Sequence, residues 1–187
     1  LEFRRVLFRS LVRAIDHIVH ARGRRDVGCA IIGNGTELEK LRALARTLNV
    51  AKYIEFTGYL TGPALLTYLS TIDVGVIPDP PNIYNDKISM NKVFEYMSLG
   101  IPFVQFDVTE GRNAAGEAAL IARGKDGAGL GDALLELMDD AERRTRMSAY
   151  GMARAGAEFR WEDAQRALLA AYEAALPRTA PAGKPED

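Results

Sequence analysis

Hydrophobic residues follow two alternating patterns along the chain, short continuous runs and longer stretches with helical spacing. The run from Val27 to Ile32 lies between Asp26 and a glycine-rich turn. A short apolar run of this kind is typical of a strand that is buried on both faces of a parallel sheet. Before it, the apolar residues from Val12 to Val19 recur at helical spacing, which predicts a first helix.

The same alternation continues towards the carboxyl terminus. Thr36 and Glu39 have the spacing of a capping box, which predicts the start of a second helix, and Pro63 opens a third. The pattern predicts further strands at 53–56, 73–77 and 102–106, and further helices at 92–99, 126–138, 141–159 and 161–176. Strands and helices that alternate with short connections build parallel βαβ units. We therefore expect an α/β fold with a doubly wound parallel sheet.

The two ends of the chain differ from its middle. Residues 1–10 match the translation of a common sequencing adapter, and we expect them to be an artefact of sequence assembly. A short basic and apolar strand is the alternative for this segment. Residues 177–187 contain three Pro and no large apolar residue, which predicts a disordered tail. The natural domain is then expected to span residues 11–176.

Composition narrows the classes of function. The 187 residues include 24 Lys and Arg against 25 Asp and Glu, so the net charge is -1. A balanced charge lacks the basic footprint of nucleic-acid binding. No apolar run approaches the roughly 18 to 20 residues of a spanning helix, and the single Cys, Cys29, lies in an apolar run as a small buried hydrophobe. We expect one soluble, cytoplasmic domain that binds no nucleic acid.

The candidate chemistry lies in the loops that follow the strands, because ligands of an open parallel sheet bind outside the carboxyl ends of its strands. Gly33 and Gly35 flank Asn34 between a predicted strand and a predicted helix, which lets backbone amides approach a phosphate. The motif lacks the third Gly of a dinucleotide fingerprint and the Lys of a P-loop. A plain tight turn is the alternative interpretation.

A longer motif follows the third predicted strand. From residue 85 a polar loop leads to Lys92, then to Glu95, and then to Tyr96-Met97 and Gly100-Ile101-Pro102. This segment resembles the nucleotide-sugar site of GT-B glycosyltransferases of family four. Other segments match that family in order, namely residues 32–35, 56–60, 73–78 and 159–162. The resemblance covers residues 11 to about 176.

The resemblance implies that the chain is the C-terminal, donor-binding half of a GT-B architecture, which has two Rossmann-like domains around a cleft. The family's first strand of this half, with an Arg and a Lys that hold the diphosphate, has no counterpart after Ser10. Because that strand is central, its loss leaves two neighbours with unpaired backbone. The apolar residues Val6, Leu7 and Phe8 are candidates to occupy the gap. We expect the chain alone to be marginally stable and catalytically inactive.

The resemblance also implies the donor contacts. Glu95 holds the ribose hydroxyls, with a solvated helix carboxylate as the alternative. The loop at Tyr59 lines the base, with an aromatic packed on the core as the alternative. The expected donor-binding residues are Gly33, Gly35, Gly58, Tyr59, Leu60, Lys87, Met90, Asn91, Lys92 and Glu95. No catalytic residue is assigned.

The position of Lys87 departs from the family, which has a second acidic residue there, eight positions before Glu95. Either the sugar contact passes to Asp86 or Lys87, or the donor differs. A helix that begins near Asn91 directs amides and a partial positive charge at an anion, and Lys92 or Lys87 adds a full charge. Such groups stabilise a leaving diphosphate without a metal.

Other polar residues give weaker signals. Asp107 and Glu110 follow the carboxyl end of a strand and are candidates for contact with the donor sugar or the acceptor. The alternative is that both are ordinary solvated carboxylates. His17 and His20 have no third ligand nearby, which favours surface positions over a metal site. Cys29 lies in a predicted apolar strand and both His lie elsewhere, so no Cys-His or Ser-His-Asp set is visible, which disfavours hydrolytic nucleophilic catalysis.

The leading hypothesis is a glycosyltransferase, which the resemblance implies to be retaining and metal-independent, with no cofactor. Its partners are a nucleotide-diphosphate sugar donor and a glycan or lipid-linked acceptor, the latter bound through a missing N-terminal domain at the inner face of the membrane. Two alternatives remain open. One is a non-catalytic module that binds a nucleotide-sugar or another phosphate ligand. The other is a GT-B sugar-nucleotide epimerase, for which no catalytic acids are placed.

Overall fold

Five strands and eight α-helices alternate along residues 7–176, the part of the chain that this computed structural model describes. The strands are β1 (Cys29–Ile32), β2 (Ile54–Gly58), β3 (Gly75–Ile77), β4 (Phe103–Phe106) and β5 (Ala119–Ala122). The helices are α1 (Leu7–Asp16), α2 (Leu38–Thr47), α3 (Gly62–Leu69), α4 (Asn91–Ser98), α5 (Thr109–Ala115), α6 (Gly127–Asp139), α7 (Ala141–Glu158) and α8 (Trp161–Ala175). Single turns of other helical types lie at His17–Ala21, Ala51–Tyr53, Asn85–Lys87 and Gly116–Ala118. The tail expected at 177–187 lies outside the described residues.

All strand pairs are parallel, which confirms the predicted fold class, but the strands form two sheets. β1 pairs with β2, with Cys29 opposite Ile54. β4 lies between β3 and β5, with Gly75 opposite Phe103. The helix α3 connects β2 of the smaller sheet to β3 of the larger sheet.

The break between the two sheets lies where a central strand was expected. β1 and β3 each pair on one side only, and residues of both line one cavity of about 730 Å³. Among residues 7–176 no strand joins the two facing edges. Phe8 lines this cavity from helix α1 and does not replace the strand, while Val6 lies outside the described residues.

The main core is covered by α1 and α6, which pack closely because α6 presents glycines to α1. A Cβ on Gly127 would lie 2.5 Å from the Cβ of Arg13, and a Cβ on Gly131 would lie 2.9 Å from the carbonyl oxygen of Ala14. Real Cβ atoms essentially never approach so closely, so only glycine permits this contact. The buried residues beneath include Ile15, Ile31, Val104, Phe106 and Leu130.

A second core cluster fixes helix α4 against the larger sheet. Val93 and Met97 of α4 are buried together with Ile77 of β3 and Phe103 of β4. This packing determines where the N-terminus of α4 lies, because the helix follows β3 after a single loop.

Helices α6 and α7 begin close to the residues that the sequence predicts, whereas the start of α2 differs from the prediction. Asp126 caps α6 and Asp140 caps α7, each by accepting from the amide three residues on, at 3.0 and 2.8 Å. The capping box predicted at Thr36 is wrong, because α2 begins at Leu38 and no side chain caps it. The Leu38 amide instead donates to the carbonyl oxygen of Gly35 at 3.0 Å.

The two ends of the described region differ in how far their side chains are buried. Residues 7–10, inside the segment expected to be an artefact, form the first turn of α1, where Ser10 is buried and Phe8 packs on the core. Helix α8 buries none of its side chains and exposes Trp161 and Tyr172. Within residues 7–176, no helix has the length and apolar character needed to cross a membrane.

Candidate functional site

The turns after β1 and β2 are joined at the carboxyl edge of their sheet. The Gly33 amide donates to the carbonyl oxygen of Gly58 at 2.7 Å. The backbone φ of Gly33 is 135° and that of Gly58 is 75°, which are angles that favour glycine. A Cβ on Gly58 would lie 3.4 Å from Oδ1 of Asn34, whereas Gly35 is exposed with no neighbour within 4 Å of such a Cβ. The two turns therefore form one glycine-lined edge that a ligand can approach.

The loop after β2 presents an aromatic ring to solvent. Tyr59 is 74% exposed, so its ring is not packed on the core. Leu60 is half-buried and borders a shallow groove between β2 and α3 with Thr57, Ala64 and Thr67. The structure thus leaves the Tyr59 ring available for stacking at the same edge as Gly58.

Helix α4 begins at this edge without a side-chain cap. Met90 precedes the helix with extended backbone angles, and its side chain makes no capping hydrogen bond. Asn91, the first helical residue, is exposed. A helix N-terminus of this kind directs backbone amides and a partial positive charge outwards.

Lys92 places a full positive charge in the first turn of α4. Its Nζ lies 3.7 Å from Oδ2 of Asp79, whose side chain is 4% exposed. Among the described residues, Asp79 Oδ2 has no hydrogen-bond partner. The carboxylate of Asp79 therefore holds Lys92 by charge alone, and both groups keep capacity for further hydrogen bonds.

Glu95 lies on α4 three residues after Lys92 and is exposed. Both side chains line the cavity between β1 and β3, together with Ile32 at the end of β1. The structure therefore brings Lys92, Glu95 and the end of β1 to one cavity, whereas Gly33 and Gly35 do not line it. This cavity is the switch point of the sheet, where ligands of doubly wound folds bind.

The loop before α4 is held by amide side chains. Nδ2 of the buried Asn85 donates to the carbonyl oxygen of Pro80 at 2.8 Å, and Oδ1 of Asn82 accepts from the Asn85 amide at 2.9 Å. Lys87 ends the turn that follows and is exposed. The loop is thus an ordered support for Lys87.

Asp86 has a structural contact in the same loop. Its Oδ1 accepts from the Thr109 amide at 2.8 Å, at the start of α5. This backbone hydrogen bond holds the pKa of the Asp86 carboxyl below its usual range. One oxygen of Asp86 is therefore already engaged in joining the loop to α5.

The weaker candidates are engaged elsewhere. Asp107 forms an ion pair with Arg112 across the start of α5. His17 Nε2 lies 2.7 Å from Oδ1 of Asp132, and His20 Nε2 lies 3.1 Å from the carbonyl oxygen of Leu48. Within residues 7–176, no three His, Cys, Asp or Glu side chains are grouped so that they could hold a metal ion.

Asp79 is the site residue that the sequence analysis missed. The sequence analysis assigned no role to Asp79 itself, and three of the four residues 78–81 are Pro, which end a strand. An Asp two residues after a parallel strand, as Asp79 is after Ile77, lies at the edge of the sheet where ligands bind.

The sequence profile of the family described as glycosyl transferases group 1 matches residues 5–140. The chain belongs to this family. A GDP-mannose-dependent monoacylated alpha-(1-6)-phosphatidylinositol monomannoside mannosyltransferase of Corynebacterium glutamicum is 29% identical over 82% of the chain and 40% of the relative. A D-inositol 3-phosphate glycosyltransferase of Stackebrandtia nassauensis is 31% identical over 81% of the chain and 35% of the relative.

Solved structures agree on the fold. A variant of S. aureus TarM, in complex with fondaparinux, alpha-GlcNAc-glycerol and UDP, superimposes with a TM-score of 0.76 at 15% identity, over 88% of this chain and 32% of TarM. At this identity the likeness shows the fold alone. The chain spans 35% to 40% of the length of the two curated relatives. It therefore corresponds to one half of a GT-B glycosyltransferase.

Proposed function

We propose that this chain is the donor-binding half of a glycosyltransferase and holds a nucleotide-diphosphate sugar at the carboxyl edge of its sheets. The observation that carries this proposal is Lys92, which lies beside the uncapped N-terminus of α4 and in ion-pair contact with the buried Asp79. No other side chain caps this helix end, so an anion is the partner that its amides and charge complement.

The diphosphate of the donor binds at this helix end. The amides of Asn91 and Lys92 face the anion, and the Lys92 ammonium approaches it from the side. When the bond to the sugar breaks, negative charge develops on the leaving phosphate, and preorganised cations and dipoles stabilise it there. This arrangement supports a transfer that uses no metal ion.

The nucleoside extends from the phosphate towards β1 and β2. Glu95 accepts from the ribose hydroxyls, one helical turn away from Lys92. The Tyr59 ring stacks on the base, and the backbone at Gly58 and Leu60 borders it. The glycine-lined edge at Gly33 and Gly35 lets the ligand approach the main chain closely.

Lys87 gives the site a basic residue where the family has an acid. Asp86 beside it is engaged by the Thr109 amide, so Lys87 is the residue of this pair that takes the contact with donor phosphate or sugar. The basic residue also favours a second candidate function, a module that binds a nucleotide-sugar or another phosphate ligand without transfer.

The names of the relatives support a proposal for the reaction. Both curated relatives are named as glycosyltransferases, one of them dependent on GDP-mannose with a lipid-linked mannoside, and the TarM structure contains UDP. We infer transfer from a nucleotide-diphosphate sugar to a glycan or lipid-linked acceptor with retention of configuration. The acceptor binds through a further domain, which also brings the enzyme to the membrane surface. The 187-residue chain alone binds donor but transfers no sugar.

The test is a ribose-specific loss of binding. UDP and 2′,3′-dideoxy-UDP are titrated against the wild-type chain and the Glu95→Gln variant. The same titrations with GDP and 2′,3′-dideoxy-GDP identify the base. Loss of a hydrogen bond to a charged group weakens UDP binding about tenfold, with little change for the dideoxy nucleotide. Glu142→Gln, on the exposed face of α7, is the matched control. An equal loss for both nucleotides contradicts the assignment of Glu95, and sugar transfer by the wild-type chain contradicts the inactivity.

A further inference from the structure

Phe94 lies on helix α4 between Lys92 and Glu95 and contacts an aromatic ring from another part of the chain. The centroids of the Phe94 and Phe159 rings are 4.9 Å apart, and the ring planes meet at 67°. An edge-to-face arrangement of this kind is a favoured geometry of aromatic pairs. Phe159 is the residue directly after α7, so the pair joins the end of α7 to the helix that carries the proposed anion site.

The direction of this contact matters for Lys92. Successive residues of an α-helix are about 100° apart, so Phe94 lies about 200° from Lys92 around α4. Lys92 and Glu95 are three positions apart and share a face, and both line the cavity beside β1, whereas Phe94 does not. Phe159 therefore packs on the side of α4 that faces away from the cavity. Its ring opposes any movement of the first turns of α4 away from the ligand edge.

Arg154 holds the Phe159 ring in turn. Its guanidinium carbon lies 5.6 Å from the centroid of that ring, a cation–π contact. Nη2 of Arg154 donates to the carbonyl oxygen of Asn113 at 3.0 Å, and Nε donates to Oε2 of Glu158 at 3.0 Å. The guanidinium is thus anchored both to the end of α5 and to α7, and it keeps the ring above it in one place.

Other contacts hold α4 on the sheet without Phe159. Val93 and Met97 are buried against the larger sheet. At the C-terminal end of α4, a Cβ on Gly100 would lie 3.0 Å from Sδ of Met152 on α7. Phe159 is itself 39% exposed, so its ring adds little to the core. Loss of this ring is therefore expected to change where the first turn of α4 points more than it changes the stability of the fold.

We propose that Phe159, held by Arg154, is a positioning residue of the donor site. Its contact with Phe94 keeps Lys92 and Glu95 directed at the diphosphate and the ribose of the donor. This inference rests on the proposed function, because Phe159 acts through residues that are assigned to the donor there. It adds that the junction of α7 and α8 controls donor affinity, although residues 159–161 do not line the cavity.

The test compares UDP affinity across variants of the 187-residue chain. Phe159→Leu keeps an apolar side chain but removes the ring, and we expect UDP to bind about fivefold more weakly, the lower end of coupling between sites. Phe159→Tyr restores the ring and retains wild-type affinity. In the Lys92→Met background, Phe159→Leu is expected to change the affinity less than it does in the wild type, because its effect passes through Lys92.

Two control variants separate positioning from packing. Met152→Ala removes a contact at the other end of α4 and lowers the urea midpoint of unfolding, but it retains wild-type UDP affinity. Tyr172→Leu removes an aromatic ring that is 61% exposed on α8 and changes neither quantity. Phe159→Leu is expected to differ from both, because its UDP affinity falls while its urea midpoint changes little.

A further measurement on the wild-type chain requires no variant to fold. Coupling between two sites is reciprocal, so bound UDP must also affect the Phe159 ring. We expect UDP to shift the NMR signals of the ring protons of Phe94 and Phe159. The ring signals of Tyr172 stay unchanged.

Three results overturn the inference when the wild-type chain binds UDP, and they leave the proposed function intact. The first is wild-type UDP affinity of the Phe159→Leu variant. The second is a loss of affinity in Phe159→Leu and Met152→Ala that follows their loss of stability, which indicates general packing. The third is a Phe159 ring whose signals do not respond to UDP. A folded wild-type chain that binds no UDP contradicts the proposed function, and the inference with it.

Discussion

Lys92 Nζ lies 3.7 Å from Oδ2 of the buried Asp79, at the start of helix α4. A buried carboxylate is unfavourable unless a charge compensates it, so Asp79 requires Lys92 in place. The ammonium is therefore oriented before any ligand arrives. A preorganised cation at an uncapped helix N-terminus is the physical basis of the anion site that we propose.

Replacement of Lys92 tests that site. Lys92→Met keeps much of the side-chain length but removes the charge, and we expect UDP to bind about tenfold more weakly, since a hydrogen bond to a charged group contributes about 1.5 to 3 kcal/mol. Isothermal titration measures the change. Lys125→Met removes the same charge from the exposed loop between β5 and α6, outside the cavity that Lys92 lines, and retains wild-type affinity. Similar losses in both variants would show a general effect of net charge.

Asp79 is expected to act through Lys92. Asp79→Asn releases the ammonium and weakens UDP binding in the wild-type background, while it changes little in the Lys92→Met background. The double-mutant cycle therefore shows coupling. Additive losses would instead indicate that Asp79 contacts the ligand directly or supports the loop on its own.

Gly75 is required because the Tyr96 ring lies against it. A Cβ there would lie 2.8 Å from Tyr96 Cε2, and overpacking of this kind destabilises a core by about 1 to 3 kcal/mol. We expect Gly75→Ala to lower the free energy of unfolding by this amount in urea titrations. Gly28→Ala, which meets nothing within 4 Å, is the control. A stable Gly75→Ala chain would mean that Tyr96 moves freely.

Asp132 links stability to pH. Hydrogen bonds from Arg22 and then His17 hold the pKa of its carboxyl at about 2, below the usual 3.8. Because the folded-state pKa is depressed, the contribution of the Asp132 carboxylate to the free energy of unfolding is fully present above about pH 4. It is lost as the pH falls towards about 2. The side chain is 44% exposed, so salt screens the effect.

At pH 7 we expect the Asp132→Asn chain to have a lower urea concentration at the midpoint of unfolding than the wild type. The difference between the two midpoints is expected to disappear between about pH 4 and pH 2. Glu117→Gln, on the turn before β5, serves as control and shows no such trend. A midpoint difference that is constant with pH would indicate that the substitution acts through packing and not through charge.

The origin of residues 1–10 is a further proposal. We infer that they derive from a sequencing adapter, and resequencing of the source DNA across the junction of Ser10 and Leu11 is expected to return a different upstream sequence. Confirmation of the same ten codons would assign the first turn of α1, including Phe8, to the natural protein.

Much of the fold was predictable from alternation of apolar runs and helical stripes. The strand predicted at Val27 to Ile32 was confirmed as Cys29–Ile32, although only Ile31 of its four residues is buried. The helices that follow Asp126 and Asp140 were confirmed because their apolar residues have helical spacing. Helix α5 and strand β5 were missed, since α5 has only seven residues and the alanine-rich segment 114–122 gives neither pattern.

The candidate site was predictable in its positions but not in its contacts. Parallel topology predicts Gly33, Gly58 and Lys92 at one edge; the structure joins Gly33 to Gly58 by a hydrogen bond and places Lys92 beside Ile32 at the end of β1. The ion pair with Asp79 and the hydrogen bond between Asp86 and the Thr109 amide join residues far apart in the chain or hidden in a proline-rich loop. Such contacts depend on tertiary packing and leave no periodic signal.

The most direct test of the central claim is an amide NMR titration of the 187-residue chain with UDP and GDP up to about 10 mM, a range that detects even weak binding. We predict dispersed signals of a folded chain and shift changes concentrated at Gly33, Gly58, Lys92 and Glu95, with none at His20. A dispersed spectrum that neither nucleotide changes, or changes confined to the opposite edge around Lys52, would contradict the donor-binding account.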